Sequence, residues 1–178
     1  SPIGDIAPLL ISLGGKMQIS SKEKSKKIYV EDFFIEYGHQ AISGNEYIHG
    51  FEISNPKNKK FEFKAYKVSK RRYEDISTIT GAFYYENILN KKPVARFAFG
   101  GMAGIPKRSK SLENLFKENP ENNFDENNIE TAIKSDFQPL TDCRATSQYR
   151  QRVAENLFKK FTYFVNNEFD REEISRVS

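Results

Sequence analysis

The stretch Phe61-Glu-Phe-Lys-Ala-Tyr-Lys67 alternates strictly: Phe61, Phe63, Ala65 and Lys67 fall on one face, Glu62, Lys64 and Tyr66 on the other. A period of two is the signature of a β-strand. Two more strand candidates follow at residues 79–86 and 94–99, joined by an Asn- and Pro-containing turn at 87–93. Consecutive strands linked by short turns predict an antiparallel sheet. Gly100, Gly101 and Gly104 end it. Beyond them the period lengthens. Leu112, Leu115 and Phe116 recur at helical spacing, as do Ile129, Ala132 and Ile133. Tyr149, Val153, Leu157, Phe161 and Val165 recur every four residues, joined by Ala154, Phe158 and Phe164. That stripe is a core-facing helix surface. The Asn- and Glu-rich stretch 118–128 reads as a loop. The region is therefore expected to be an α+β layer, a three-stranded antiparallel sheet packed with three helices.

Upstream the elements are shorter. Residues 6–13 read as a helix, with Asp5 as N-cap, Pro8 in the first turn and Gly14-Gly15 at the end. Strands are expected at 16–20, 27–30 and 47–53, with a helical turn at 31–34. The turn signal Asn55-Pro56-Lys57-Asn58 marks a boundary between residues 1–58 and residues 59–178.

Composition excludes several classes. With 178 residues, 38% of them hydrophobic and 13% aromatic, the chain can build a core. The longest apolar run, residues 6–13, is too short for a bilayer, which needs about 20 residues. The single cysteine, Cys143, forbids an internal disulfide and an iron–sulfur cluster within this chain, and fits a cytoplasmic setting. His39 and His49 have no ligand partners at metal spacing, so no metal site is expected. The net charge is +4, and basic residues cluster at 22–27, 57–60, 70–72 and 91–92, each beside turn residues. Solvated turns explain these clusters, and neither nucleic acid nor membrane is expected as a partner. Phosphate-loop, nucleophile-elbow, zincin and paired-cysteine motifs are absent. The glycine-rich Phe99-Gly-Gly-Met-Ala-Gly104 lacks dinucleotide-binding spacing and reads as a turn needing close backbone approach. No catalytic residue is assigned.

Several segments in order resemble the flavin-carrying part of xanthine dehydrogenases. They are Ser1-Pro-Ile-Gly-Asp5, Asp32-Phe-Phe34 and Gly44-Asn-Glu-Tyr-Ile48, then Phe63-Lys-Ala-Tyr-Lys-Val-Ser-Lys-Arg71 with Asp75-Ile-Ser77. Ala98-Phe-Gly-Gly-Met-Ala103 with Pro106-Lys-Arg108, and Phe137-Gln-Pro-Leu-Thr-Asp-Cys-Arg-Ala145 with Tyr149-Arg150, complete the set. The chain looks most like the C-terminal part of the separate small subunit of bacterial xanthine dehydrogenases. Its second half resembles the C-terminal domain of carbon monoxide dehydrogenase flavoproteins. The resemblance implies that residues 1–58 close an FAD-binding domain. The clusters and glycine-rich FAD loops of the family would lie upstream of Ser1, so a fragment, inactive and FAD-free alone, is expected. In the family, electrons released by hypoxanthine or xanthine oxidation at molybdopterin on a large partner subunit pass through [2Fe–2S] clusters to FAD and then to NAD.

By the same resemblance Ser1, Asp5, Tyr47, Ile48 and Lys67 contact FAD, and Arg71 and Glu74 lie on a loop governing NAD access. Asp5, Lys67, Ile48, Arg71 and Glu74 also have plainer readings. Asp5 suits a helix N-cap, which stabilises by about 1 kcal/mol. Lys67 ends an apolar row and can snorkel at the sheet margin. Near a flavin, its ammonium would favour the reduced, anionic ring. Ile48 suits a strand core, and Arg71 and Glu74 a solvated turn. Asp142, Arg144 and Arg150 read as capping groups and a local ion pair at the start of the last helix. A non-catalytic docking or assembly domain without cofactor is the competing function.

Overall fold

The computed structural model describes residues 3–55, 61–73, 75–86, 93–119 and 124–166. The elements are α1 (Ile6–Ser12), β1 (Lys16–Ser20), β2 (Ser25–Tyr29), α2 (Val30–Phe33), β3 (Phe34–Glu36), β4 (His39–Gln40) and β5 (Tyr47–Glu52), then β6 (Phe61–Val68), β7 (Ile79–Glu86), β8 (Val94–Gly100), β9 (Lys107–Arg108), α3 (Lys110–Glu118), α4 (Glu126–Asp136) and α5 (Ser147–Val165). The α+β class is as expected. Pairing is antiparallel in sheets ordered β2-β1-β5, β3-β4 and β6-β7-β8-β9.

The second half carries one strand more than expected. After the glycine-rich turn the chain runs back, and Lys107 and Arg108 pair with Phe99 and Ala98. Two residues offer no alternation to read. Their brevity leaves the Phe97 N–H to the side chain of Glu113, at 3.0 Å. Glu113 is itself buried and also accepts from Arg108 Nε at 2.8 Å and Nη2 at 2.6 Å. A bidentate guanidinium–carboxylate pair thus completes the sheet edge. Both ends of the stretch expected as a loop at 118–128 are helical, since α3 reaches Glu118 and α4 starts at Glu126 on an Asp125 cap. Loop composition concealed the first turn of α4. The turns expected at 56–58 and 87–92 lie outside the described residues.

Register fixes the two faces of the large sheet. Glu62, Lys64, Tyr66 and Val68 share a face with Ile79, Gly81, Phe83 and Tyr85, and with Ala95, Phe97 and Phe99. This face meets α3 and α5, and α4 packs against those two helices. Phe83 stacks on Phe161 with centroids 5.2 Å apart, and Phe97 meets Phe116, Phe158 and Phe161 edge-on. Each fully buried Phe contributes roughly 1.5–3 kcal/mol relative to exposure.

The opposite face carries Phe61, Phe63, Ala65 and Lys67, then Thr80, Ala82, Tyr84 and Glu86, then Arg96, Ala98 and Gly100. Helix α1 packs over β7 and β8 here. Ala98 joins Ile11, Met17, Ile19, Val30 and Phe33 in a second core. Helix α1 ends in a Schellman motif: Gly14 has φ 65°, its N–H donates to Ile11 O, and Gly15 N–H reaches Leu10 O. The central strand β7 is therefore covered on both sides, which is why it reads as a nearly continuous apolar run. Strand β6 lies at the sheet edge with Phe61 and Ala65 exposed. Among the described residues no helix is long and apolar enough to cross a membrane.

Candidate functional site

Asp5 occupies the residue before α1, but its backbone is already helical (φ −60°, ψ −34°) and its side chain makes no cap hydrogen bond. The carboxylate turns toward the large sheet instead. Its Oδ2 accepts from Lys67 Nζ at 2.7 Å, and its Oδ1 accepts from Thr80 Oγ1 at 2.9 Å and from the Ser77 hydroxyl. The N-cap expectation for its side chain is thus corrected: three partners 62 to 75 residues away outcompete one local amide.

The geometry follows from register. Lys67 lies opposite Thr80, which lies opposite Gly100, in one row across the face that α1 covers. Ser77 and Thr80 are buried, whereas the Lys67 and Asp5 side chains are 46% and 41% exposed. The pair thus sits where the covered part of the face gives way to the open strip of β6. Partial burial pushes the Asp5 carboxyl up. Hydrogen bonds from Lys67, Ser77 and Thr80, with the Lys67 charge, outweigh it and hold the group below the ordinary carboxylate range. Asp5 is therefore a stable anion at neutral pH. An ammonium has three donors, and one of those on Lys67 goes to Asp5. The arrangement can present a cation of fixed position to a ligand lying along the strip.

Asp5 and Lys67 are thus brought together. Tyr47 and Ile48 lie on β5, at the edge of the other sheet, half exposed and paired with Ser20 and Ile19. Among the described residues no hydrogen bond or ion pair joins them to the Asp5–Lys67 pair. Arg71 is exposed and bound to Asp75, through its backbone N–H at 3.0 Å and its guanidinium at 3.5 Å. That backbone bond is the chief reason Asp75 is held below the usual carboxylate range. Ser1 and Glu74 lie outside the described residues.

The residues that sequence reading missed are Ser77 and Thr80. Hydroxyls carry no pattern: the β6–β7 register puts Thr80 in the row of Lys67, and Ser77, two residues before β7, reaches Asp5 only through the fold.

Asp142 and Arg150 do form the expected ion pair, with Nη2 2.8 Å from each carboxylate oxygen. The helix cap proper is Thr146, which accepts from Tyr149 N–H at 3.2 Å. Asp142 caps the preceding turn through the N–H groups of Arg144 and Ala145.

The family model of the CO dehydrogenase flavoprotein C-terminal domain matches residues 64–165. Nicotinate hydroxylase of Emericella nidulans is 26% identical over 190 residues, spanning 99% of this chain and 14% of that protein. Xanthine dehydrogenase/oxidase of Gallus gallus is 27% identical over 106 residues, 58% of this chain and 8% of that protein. The chain thus spans only a small part of the curated relatives it matches. Among solved structures, carbon monoxide dehydrogenase from Hydrogenophaga pseudoflava superposes with a TM-score of 0.75 at 16% identity, over 90% of this chain and 55% of that one. Quinoline 2-oxidoreductase from Pseudomonas putida 86 gives 0.71 at 16% identity, over 93% and 56%. These structures share the fold.

Proposed function

This chain belongs to the CO dehydrogenase flavoprotein C-terminal domain family, and from that premise we propose that it is part of the FAD-carrying subunit of a xanthine dehydrogenase-like molybdenum hydroxylase. Residues 1–58 close the flavin-binding domain and residues 59–178 form the family domain. The observation that carries the reading is the Asp5–Lys67 pair at 2.7 Å, locked by Ser77 and Thr80 at the edge of an open apolar strip.

The residues fit a flavin. The strip of partly buried Phe63 and exposed Ala65 suits the face of an aromatic ring, and an ammonium at its end suits the ring's polar edge. FAD, when bound, supplies the transfer of electrons from the iron–sulfur clusters to the acceptor. Lys67 holds a positive charge where negative charge collects on the bound group. Asp5 keeps that ammonium aimed, and the second lone pair of its Oδ2 suits a ligand hydroxyl. Tyr47 and Ile48 line the approach from the other sheet, and Ser1, outside the described residues, is a further FAD contact by the family resemblance alone. Arg71, after β6, borders the path by which NAD reaches the flavin, and Glu74, outside the described residues, shares that role by the family resemblance alone. Purine oxidation would occur on a molybdopterin-binding partner subunit, in the cytoplasm.

The test uses the intact subunit. It is expected to purify yellow, and Lys67→Ala and Asp5→Ala are expected to lose FAD. A colourless intact subunit whose partner binding survives both substitutions would overturn the proposal in favour of a docking domain.

A further inference from the structure

The glycine-rich turn after β8 and the buried Arg150 have so far no functional role. Both lie directly behind the Asp5–Lys67 pair. A Cβ on Gly100 would lie 2.5 Å from the Ile3 carbonyl oxygen and 3.1 Å from Pro8 Cγ, so this glycine lets the chain leading to Asp5 settle on the sheet. Gly101 has φ 83°, and a Cβ there would strike the Thr78 carbonyl oxygen and come 3.0 Å from Arg150 Nη1.

Arg150, 2% exposed, occupies the space that Gly101 leaves. Its Nη1 donates to the Thr78 carbonyl and to Gly101 O at 3.1 Å. Its Nη2 is held by Asp142. Thr78 sits between Ser77 and Thr80, whose hydroxyls hold Asp5 Oδ1. The same segment is tied to the turn before α5 at further points. Arg144 Nη1 donates to Ile76 O at 3.3 Å and lies 3.7 Å from Asp75, and Lys70 Nζ donates to Cys143 O at 2.7 Å.

We propose that Arg150, held by Asp142 and admitted by Gly101, is a positioning residue for the candidate flavin site, acting through Thr78 to set the Ser77 and Thr80 hydroxyls that fix Asp5 and so aim Lys67. This rests on the flavin reading above. A staple between helix and sheet would be better served by an aliphatic side chain. The buried guanidinium is a costly alternative, since its Nε finds no acceptor among the described residues. What a guanidinium does that an aliphatic group cannot is fix two carbonyl oxygens and a carboxylate in one planar fork. The clamp places the hydroxyls of a loop-to-strand junction with the rigidity of a helix. A displacement of Ser77 would be passed to Asp5 and then to the lysine.

The intact FAD-carrying subunit tests this with Arg150→Lys, Asp142→Asn and Lys67→Ala, reading flavin midpoint potential, visible absorbance fine structure, FAD dissociation constant and thermal midpoint. Arg150→Lys is expected to weaken FAD about tenfold, equivalent to about 1.4 kcal/mol, and to lower the flavin potential. Its effect on the potential is expected to vanish in a Lys67→Ala background, because the route runs through that lysine. Asp142, with its side chain 43% exposed, carries the test if Arg150→Lys does not fold. A lower thermal midpoint with unchanged potential and spectrum in both variants would make Arg150 a structural staple and overturn the inference. If Lys67→Ala also left potential and affinity unchanged, the flavin reading itself would fall.

Discussion

The two faces of the large sheet are made from the same three strands and serve opposite ends. On the helix side, β6, β7 and β8 send Tyr66, Phe83, Phe97 and Phe99 into an aromatic cluster shared with Phe116, Phe158 and Phe161. On the other side the row Lys67, Thr80 and Gly100 meets Asp5 and α1, and the strip along β6 stays open. One face is optimised for dry contact. The other leaves a charge pair half exposed and three side chains converging on one carboxylate. An exposed ion pair contributes little to folding, at most about 1 kcal/mol. Its convergent partners are therefore better explained by placement of a ligand than by stability. The prediction is that the faces can be damaged separately.

The largest effect belongs to the helix side. Phe97→Ala empties the centre of the cluster, where Phe97 meets Phe83, Phe116, Phe158 and Phe161. A loss of about 3–5 kcal/mol is expected in urea unfolding. At a temperature where the variant of the intact subunit stays folded, FAD affinity is expected to hold. Loss of flavin without loss of stability would dissolve the division between the faces.

Lys67→Ala is the converse. Its side chain is 46% exposed, so unfolding free energy is expected to fall by no more than about 1 kcal/mol. FAD bound by the intact subunit is expected to weaken about tenfold or more, as read by flavin fluorescence on dilution. A large stability loss would mark the pair as part of the core.

Tyr66 sharpens the comparison from within the dry face. Its ring packs against Phe83, with Lys160 Nζ 5.0 Å from the ring centroid. Its hydroxyl is buried with no hydrogen-bond partner among the described residues. Burial pushes its pKa up to about 12. Tyr66→Phe removes an unsatisfied polar atom and is expected to raise stability by about 1 kcal/mol. A decrease would reveal a partner for that hydroxyl.

The fold was largely legible because the periods were. Alternation marked β6, and four-residue recurrence marked α5. The two faces were harder to assign. Alternation in β6 separates Phe61, Phe63 and Ala65 from Glu62, Lys64 and Tyr66, yet the second set faces the helices. The apparently polar set packs there because Lys64 lays its ammonium over Phe164, 4.1 Å from the ring centroid, and Tyr66 buries its ring. Strand β9 was invisible at two residues. Of the candidate site, resemblance pointed to Asp5 and Lys67, which the fold brings together, and overlooked what joins them. Ser77, Thr80 and Arg150 act across sequence separations that no local pattern spans.

Acid should separate the faces by the smallest effect. Asp5 titrates below its ordinary value of 3.8 in the folded protein. A carboxyl with a lowered folded pKa contributes stability above its unfolded pKa, and that contribution fades as pH falls through the folded pKa. The window therefore lies at and below pH 3.8, and the Asp5 carboxylate should keep its charge between pH 5 and 8. Ser77→Ala and Thr80→Val each remove one donor to Oδ1, so each should raise the Asp5 pKa toward 3.8. Carboxyl-carbon NMR titration reads this directly. Unchanged titration in both variants would mean that the Lys67 ammonium alone sets the carboxylate. The hydroxyl link from Arg150 would then have no route to the lysine.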